Sequence, residues 1–238
     1  MLNAHTNIEI EKSVIRSQHT QRNWNLDKKI PKEDVNTLLQ AVTNCPSKQN
    51  IAFYKVHFIQ DRDMIEEIHE HTEGFGTYPS LNSSKHVNKA GPVYIPVEKR
   101  ITETNPQTLA NLLVIFEKYD FLKDLKKDFH RNMATREYIN NGKLSDARVA
   151  ELDRDKQIAL GIAAGYLNLT AALMGYRTGC CQCMDRNAIK EIAMLEEKPL
   201  LLMGVGFPQK GVNRKRHHIR DFTFPSLKKQ PIKYEMFD

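Results

Sequence analysis

Four short clusters hold the residues most capable of chemistry in this chain: Gln18-His19-Thr20-Gln21-Arg22-Asn23-Trp24, Pro46-Ser47-Lys48-Gln49-Asn50, Asn82-Ser83-Ser84-Lys85 and Asn213-Arg214-Lys215-Arg216. A phosphate group wants fixed N–H donors and cations. Arg22 offers a planar fork of donors, His19 a ring N–H and Thr20 a hydroxyl. Arg214 and Arg216 are two apart, so an extended segment presents them on one side. Ser47 and Asn50 can hydrogen-bond a polar ring edge, and Lys85 can meet a carbonyl oxygen or a developing negative charge. Taken singly, the clusters read as a polar helix exit, a Ser or Asx turn, a solvated lysine and a basic tail. Together and in this order they point to a pocket for a phosphorylated ligand.

The elements that must position these groups come from an ordinary globular composition. The chain has 238 residues, enough for one domain with a real core. It carries no apolar run of membrane-spanning length, and its first residues are polar and charged, unlike a signal peptide. A cytoplasmic protein is the expectation. The net charge of +6 is mild, and no nucleic-acid-binding motif accompanies it; neither nucleic acid nor membrane is expected as a partner. Of the four cysteines, Cys180, Cys181 and Cys183 sit together, with no second cluster to complete a zinc site. Free thiols in a reducing compartment are expected, with a redox-active pair as the alternative.

Spacing predicts helices over 8–17, from Pro31 to Thr43 (Val35, Leu38, Leu39 and Val42 on one face) and from Asp63 to His71. Strands are expected over Phe53–Ile59, Val93–Val97 and Pro199–Val205, with a loop over 73–89. Another helix is predicted to start at Asn105-Pro106, turning Leu109, Leu112, Leu113 and Phe116 inward. Residues 119–145 read as a charged surface excursion. The longest helix runs from Asp146 to Met174 and stops at Gly175. Its second half, from Ile158, is apolar on nearly every face and is expected to be buried. Gly161, Ala163, Ala164 and Gly165 in that half let another helix come close. Asp185 is predicted to cap a short helix reaching Leu195. This alternation implies an α+β or α/β sandwich.

The ordered set of motifs resembles the FMN-dependent nitroreductase family. That family opens with a basic, hydroxyl-bearing motif ending in an aromatic, as in residues 18–24. A helix and a Pro-Ser-x-x-Asn motif follow, as in Pro46–Asn50, then a strand and an Asn-x-x-Lys motif, as in Asn82 and Lys85. A long apolar helix then leads into a small-residue loop, here Gly179-Cys180-Cys181-Gln182-Cys183, and basic residues close the site. The resemblance implies an α+β, three-layer α/β/α fold with a mixed, mainly antiparallel central sheet and a long central helix. It implies one domain over 1–238, with an excursion at about 119–145 and an extended tail at about 207–238. By resemblance, His19, Thr20, Arg22, Arg214 and Arg216 hold the phosphate and ribityl chain of FMN, with Gln18 where the family often has arginine. Asn82 and Lys85 meet the ribityl chain and pyrimidine edge. Gln182 and Cys183 lie by flavin N5. Pro46, Ser47, Lys48 and Asn50 reach the flavin of the other subunit of a homodimer. The implied activity is hydride transfer from NADH or NADPH through the flavin to a nitroaromatic or quinone, by a ping-pong mechanism and with no catalytic side chain. A flavin-consuming or dehalogenating relative is the alternative. An anion- or nucleic-acid-binding module using the basic cluster at 214–218 is a further one.

Overall fold

The structure, a computed structural model, describes residues 4–72, 106–124, 133–209 and 232–236. The strand expected at 93–97, the loop at 73–89, and Asn82, Lys85, Arg214 and Arg216 lie outside the described residues. The helices are α1 (Ala4–Ser17), α2 (Lys32–Thr43), α3 (Arg62–Glu70), α4 (Met133–Asn141), α5 (Asp146–Leu173) and α6 (Arg186–Ile192). The strands are β1 (Tyr54–Ile59), β2 (Leu112–Lys118), β3 (Arg177–Cys181) and β4 (Pro199–Gly206). They form one sheet in the order β1-β2-β4-β3. All three pairings are antiparallel, so the parallel component of the expected mixed sheet does not occur among the described residues.

Each face of the sheet carries its own core. On one side Leu38 and Val42 of α2 and Leu160, Ala163 and Leu167 of α5 pack on Leu112, Val114, Phe116, Met203 and Val205. On the other, Ile65 and Ile68 of α3 and Ile189 of α6 pack on Leu113, Ile115 and Leu202. The expected three layers are therefore present. The predicted helix beginning at Asn105-Pro106 is not: Leu112, Leu113 and Phe116 belong to β2. Five consecutive apolar residues, Leu112–Phe116, are all fully buried because a central strand faces a core on both sides. Such a run also satisfies helical spacing, and that coincidence misleads the sequence reading.

The long helix forms where it was expected, with 28 residues and a length of about 42 Å. Leu160, Ala163, Leu167 and Ala171 recur every three or four residues and supply its buried face. It is not buried all round. Ile158, Tyr166 and Leu173 are exposed, and a Cβ at Gly161 or Gly165 would meet nothing within 4 Å. Gly175, at φ +89°, ends the helix, and the Tyr176 amide returns to the Ala171 carbonyl at 2.8 Å. Asp185 caps α6 by accepting from the amides of Asn187 and Ala188. That helix ends at Ile192 rather than Leu195, because Met194 adopts a left-handed conformation at φ 49°.

The tightest packing lies where β3 and β4 pair. Gly179 and Gly204 are register partners, and residues 106–111 press onto them. A Cβ on Gly204 would stand 2.1 Å from the Gln107 carbonyl oxygen, and one on Gly206 2.1 Å from Asn111 Oδ1. Asn111 then ties the 25–28 segment to the residue that follows β4. Its Nδ2 donates to the carbonyls of Asn25 at 2.8 Å and Lys28 at 2.7 Å, while its Oδ1 accepts from the Phe207 amide at 3.0 Å. Gly204→Ala should destabilise the fold by about 3 kcal/mol, since backbone cannot yield as a side chain can. Urea denaturation measures this, and an unchanged midpoint would contradict the packing.

Candidate functional site

The first cluster follows α1 and is delivered to the edge of the sheet. Gln18, His19 and Thr20 are exposed. The chain then pairs with β3, the Gln21 amide donating to the Thr178 carbonyl at 2.8 Å. Asn168 of α5 fixes both sides of this junction. Its Nδ2 donates to the Ser17 carbonyl at 3.0 Å, and its Oδ1 accepts from Thr178 Oγ1 at 2.5 Å. The motif reading missed Asn168; the available signal was a polar amide in the apolar half of the long helix. Beyond Arg22, Trp24 is buried and donates through Nε1 to the Pro106 carbonyl at 2.9 Å.

Arg22 is half-buried, and its Nε is buried without a hydrogen-bond partner among the described residues. Burial pushes its pKa below the ordinary arginine value. A buried cationic donor left unanswered costs free energy, and an anionic oxygen is the group that would answer it. The neighbouring Gln21 is buried as well, and its Oε1 likewise lacks a partner.

The fold brings this cluster to β3 and so to the cysteines. Gly179, Cys180 and Cys181, expected in a loop, are strand residues. Glycine and cysteine carry little strand signature, which explains the miss. Cys181 is buried and its Sγ donates to the Cys183 carbonyl at 3.2 Å. Gln182 and Cys183 follow the strand and are exposed. The exit is pinned by a bridge between Thr72 and Met184 and by the Asp185 amide, which donates to the His71 carbonyl at 2.8 Å. Cys180 keeps an exposed edge, yet protein encloses enough of it to push its thiol up to about 11, with the neighbouring Cys181 adding to the effect.

The second cluster lies at the opposite edge, between α2 and β1. Ser47 Oγ donates to the Ile51 carbonyl at 2.8 Å, and the Asn50 amide donates to the Ser47 carbonyl at 3.2 Å. Gln49 and Asn50 both sit at φ 55°, at a cost of about 1 kcal/mol or more each. Pro46 and Asn50 are exposed. Lys48, expected to face a ligand, instead has its ammonium between Glu151 Oε1 at 2.9 Å and Asp155 Oδ2 at 2.7 Å. An open groove of about 600 Å³ adjoins the turn, lined in part by Cys45, Ser47, Asn50 and Tyr54. Cys45 Sγ lies 3.0 Å from Tyr54 Oη. Burial, then this contact, raises the tyrosine pKa above its ordinary value.

The sequence pattern of the nitroreductase family matches residues 15–207. The chain belongs to that family. This membership places it among oxidoreductases. No curated protein matches the chain. The nitroreductase fold recurs in several solved structures. A nitroreductase family protein from Streptococcus pneumoniae TIGR4 has 16% identity, covers 87% of this chain and 92% of its own, and gives a TM-score of 0.56. A protein of Exiguobacterium sibiricum 255-15, assigned as a nitroreductase and solved in complex with FMN, has 15% identity, 93% and 91% coverage and a TM-score of 0.55. A protein of Staphylococcus epidermidis ATCC 12228, assigned as an NAD(P)H:FMN oxidoreductase, has 15% identity, 86% and 89% coverage and a TM-score of 0.55. Among the described residues no helix is long and apolar enough to cross a membrane.

Because its thiol is pushed up to about 11, Cys180 should be a slow nucleophile at neutral pH. Its alkylation by iodoacetamide, followed by peptide mass spectrometry, should still be accelerating at about pH 9, where an ordinary thiol has largely ionised. A rate already level at that pH would contradict the enclosure.

Proposed function

We propose that this nitroreductase-family chain holds FMN between two copies of itself and carries hydride from NADH or NADPH to a small acceptor such as a nitroaromatic or a quinone. The carrying observation is the buried Nε of Arg22, unpartnered among the described residues, on the segment that β3 and Asn168 hold in place. Family membership and the FMN-bound relative favour FMN as the anion that answers it.

In this reading His19, Thr20 and Arg22 bind the phosphate and ribityl chain from one side, with Arg214 and Arg216 completing the set. Gln18, standing where an arginine is common, contributes an amide in place of a cation. Asn82 and Lys85 serve the ribityl chain and ring edge. Gln182 and Cys183 offer backbone N–H groups at the ring. The strand exit that carries them is tied to residues 71–72, so these donors need little reorganisation when charge develops. When bound, FMN supplies the hydride-accepting and hydride-donating chemistry of a ping-pong cycle. The protein's share is binding, orientation and charge stabilisation, and no side-chain acid or base is assigned.

Two features support a homodimer. Ser47 and Asn50 precede β1, whereas Arg22 and Gln182 adjoin β3; among the described residues these strands are the two edges of the sheet. Three strand spacings, about 14 Å, separate them within one protomer, which favours a turn that serves the flavin of a partner. On α5, Gly161 and Gly165 form an open stripe beside exposed Ile158, Tyr166 and Leu173, which suits a second helix at close range. A cytoplasmic location accords with the free thiols of Cys45, Cys180 and Cys183.

Three measurements test this reading. The FMN-loaded protein should lose its yellow absorbance when NADH or NADPH is added without oxygen; persistent colour with both donors rejects the proposed reductase. Arg22→Ala should weaken FMN binding by roughly 10- to 100-fold, the range of a lost charged hydrogen bond. Its ligand-free melting temperature should not fall, because the arginine Nε has no partner to lose among the described residues. Replacing Gly161 and Gly165 together by leucine should shift the protein to monomer in sedimentation. A dimer that survives both leucines rules out a close helix contact there.

A further inference from the structure

The Ser47–Asn50 turn combines strain with an unusual anchor. Gln49 and Asn50 are consecutive residues at φ 55°, a left-handed conformation that glutamine has little reason to adopt. Within the turn, three hydrogen bonds oppose that strain: the Asn50 amide to the Ser47 carbonyl at 3.2 Å, the Ile51 amide to the Lys48 carbonyl at 3.1 Å and Ser47 Oγ to the Ile51 carbonyl at 2.8 Å. A further anchor is remote in sequence. Lys48 reaches across to α5, where Glu151 and Asp155 lie one helical turn apart on the same face. Asp155 is 12% exposed and Glu151 34% exposed. The chain of charges continues: Arg148 pairs with Glu151 and, at 3.3 Å, with Glu137 of α4. Lys48 therefore has two carboxylate partners, unlike the orphaned Nε of Arg22.

We propose that Glu151 and Asp155, acting through Lys48, are positioning residues that clamp the strained Ser47–Asn50 turn in the shape that presents Asn50 to a ligand. The ligand part rests on the FMN reading above; the clamp itself does not. Strain that persists at a ligand-contacting turn must be over-determined by its surroundings. A lysine tied to a rigid helix does this and leaves the exposed side chain of Asn50 to make the contact. Lys48 is then a strut and not a phosphate ligand. Hydrogen bonds to both carboxylates raise its pKa above the ordinary lysine value, so the strut stays charged through the neutral range.

The test uses three disrupting variants of the full chain, Lys48→Met, the pair Glu151→Gln with Asp155→Asn, and all three together, with Lys48→Arg as a conservative control outside that set. Two readouts are taken, hydrogen exchange at the Asn50 and Ile51 amides of the ligand-free protein and the FMN dissociation constant from flavin fluorescence. Both amides should exchange faster in every variant. Affinity should fall roughly fivefold, the size two partly exposed ion pairs can carry. The triple variant should be no worse than Lys48→Met alone, and Lys48→Arg should restore both readouts, because a strut is one coupled unit. Losses that add in the triple variant would make Lys48 a direct ligand and overturn the clamp. Unchanged exchange in the Glu151/Asp155 variant would overturn it as well. Wild-type protein that takes up no FMN, with exchange still accelerated in the variants, would sink the flavin reading and leave the clamp standing.

Discussion

The Arg22 half of the candidate site is placed by one close approach, where residues 106–111 lie on Gly179, Gly204 and Gly206. Side chains at these positions would occupy the space taken by Gln107, Ala110 and Asn111. With hydrogen there instead, the segment settles on the sheet before entering β2. Asn111 is thereby brought to the one position from which it can hold Asn25, Lys28 and Phe207 together. Trp24 anchors on Pro106 in the same place. The polar segment ending α1 is thus held at both ends, by Asn168 and β3 before Arg22 and by the Trp24 and Asn111 contacts after it.

The two halves of the candidate site differ in how their cations are treated. Lys48 is satisfied within the protomer by two carboxylates of α5. The Arg22 Nε has no such partner among the described residues and is penalised by burial. An unmet donor is a stronger pointer to an anionic ligand than a met one, because the protein bears its desolvation until something answers it. On this ground the two basic residues, equal in the sequence, are proposed for different parts: Arg22 for the phosphate, Lys48 for holding a turn in shape.

Local chemistry made much of the fold legible in the chain. Val35, Leu38 and Val42 marked α2, Asp185 marked the start of α6, and the small apolar residues after Ile158 marked α5. The misreadings have a common physical origin. Leu112–Phe116 fits both periodicities because β2 is buried on two faces. Gly179–Cys181 lacks strand character because its strand is specified by packing on Gln21 and Gln107. The second half of α5 is apolar on a side that its own protomer leaves exposed, at Ile158, Tyr166 and Leu173, so apolar composition did not mean burial within the chain. At the site, residue types were legible from motif order alone. Neither the ion pairs of Lys48 nor the bridging role of Asn168 was, since both depend on residues more than a hundred positions apart.

The central claim is a flavin site assembled from Arg22 of one protomer and the Ser47–Asn50 turn of another. A purified heterodimer tests it most directly, one protomer carrying Arg22→Ala and the other Ser47→Ala with Asn50→Ala. In a twofold dimer with shared sites, both defects fall in one site and the other is intact. Equilibrium FMN titration should then find one tight site per heterodimer, although each parent homodimer has none. A heterodimer whose sites are all as weak as those of its parents would show that each flavin is held within a single chain, and the account would fail.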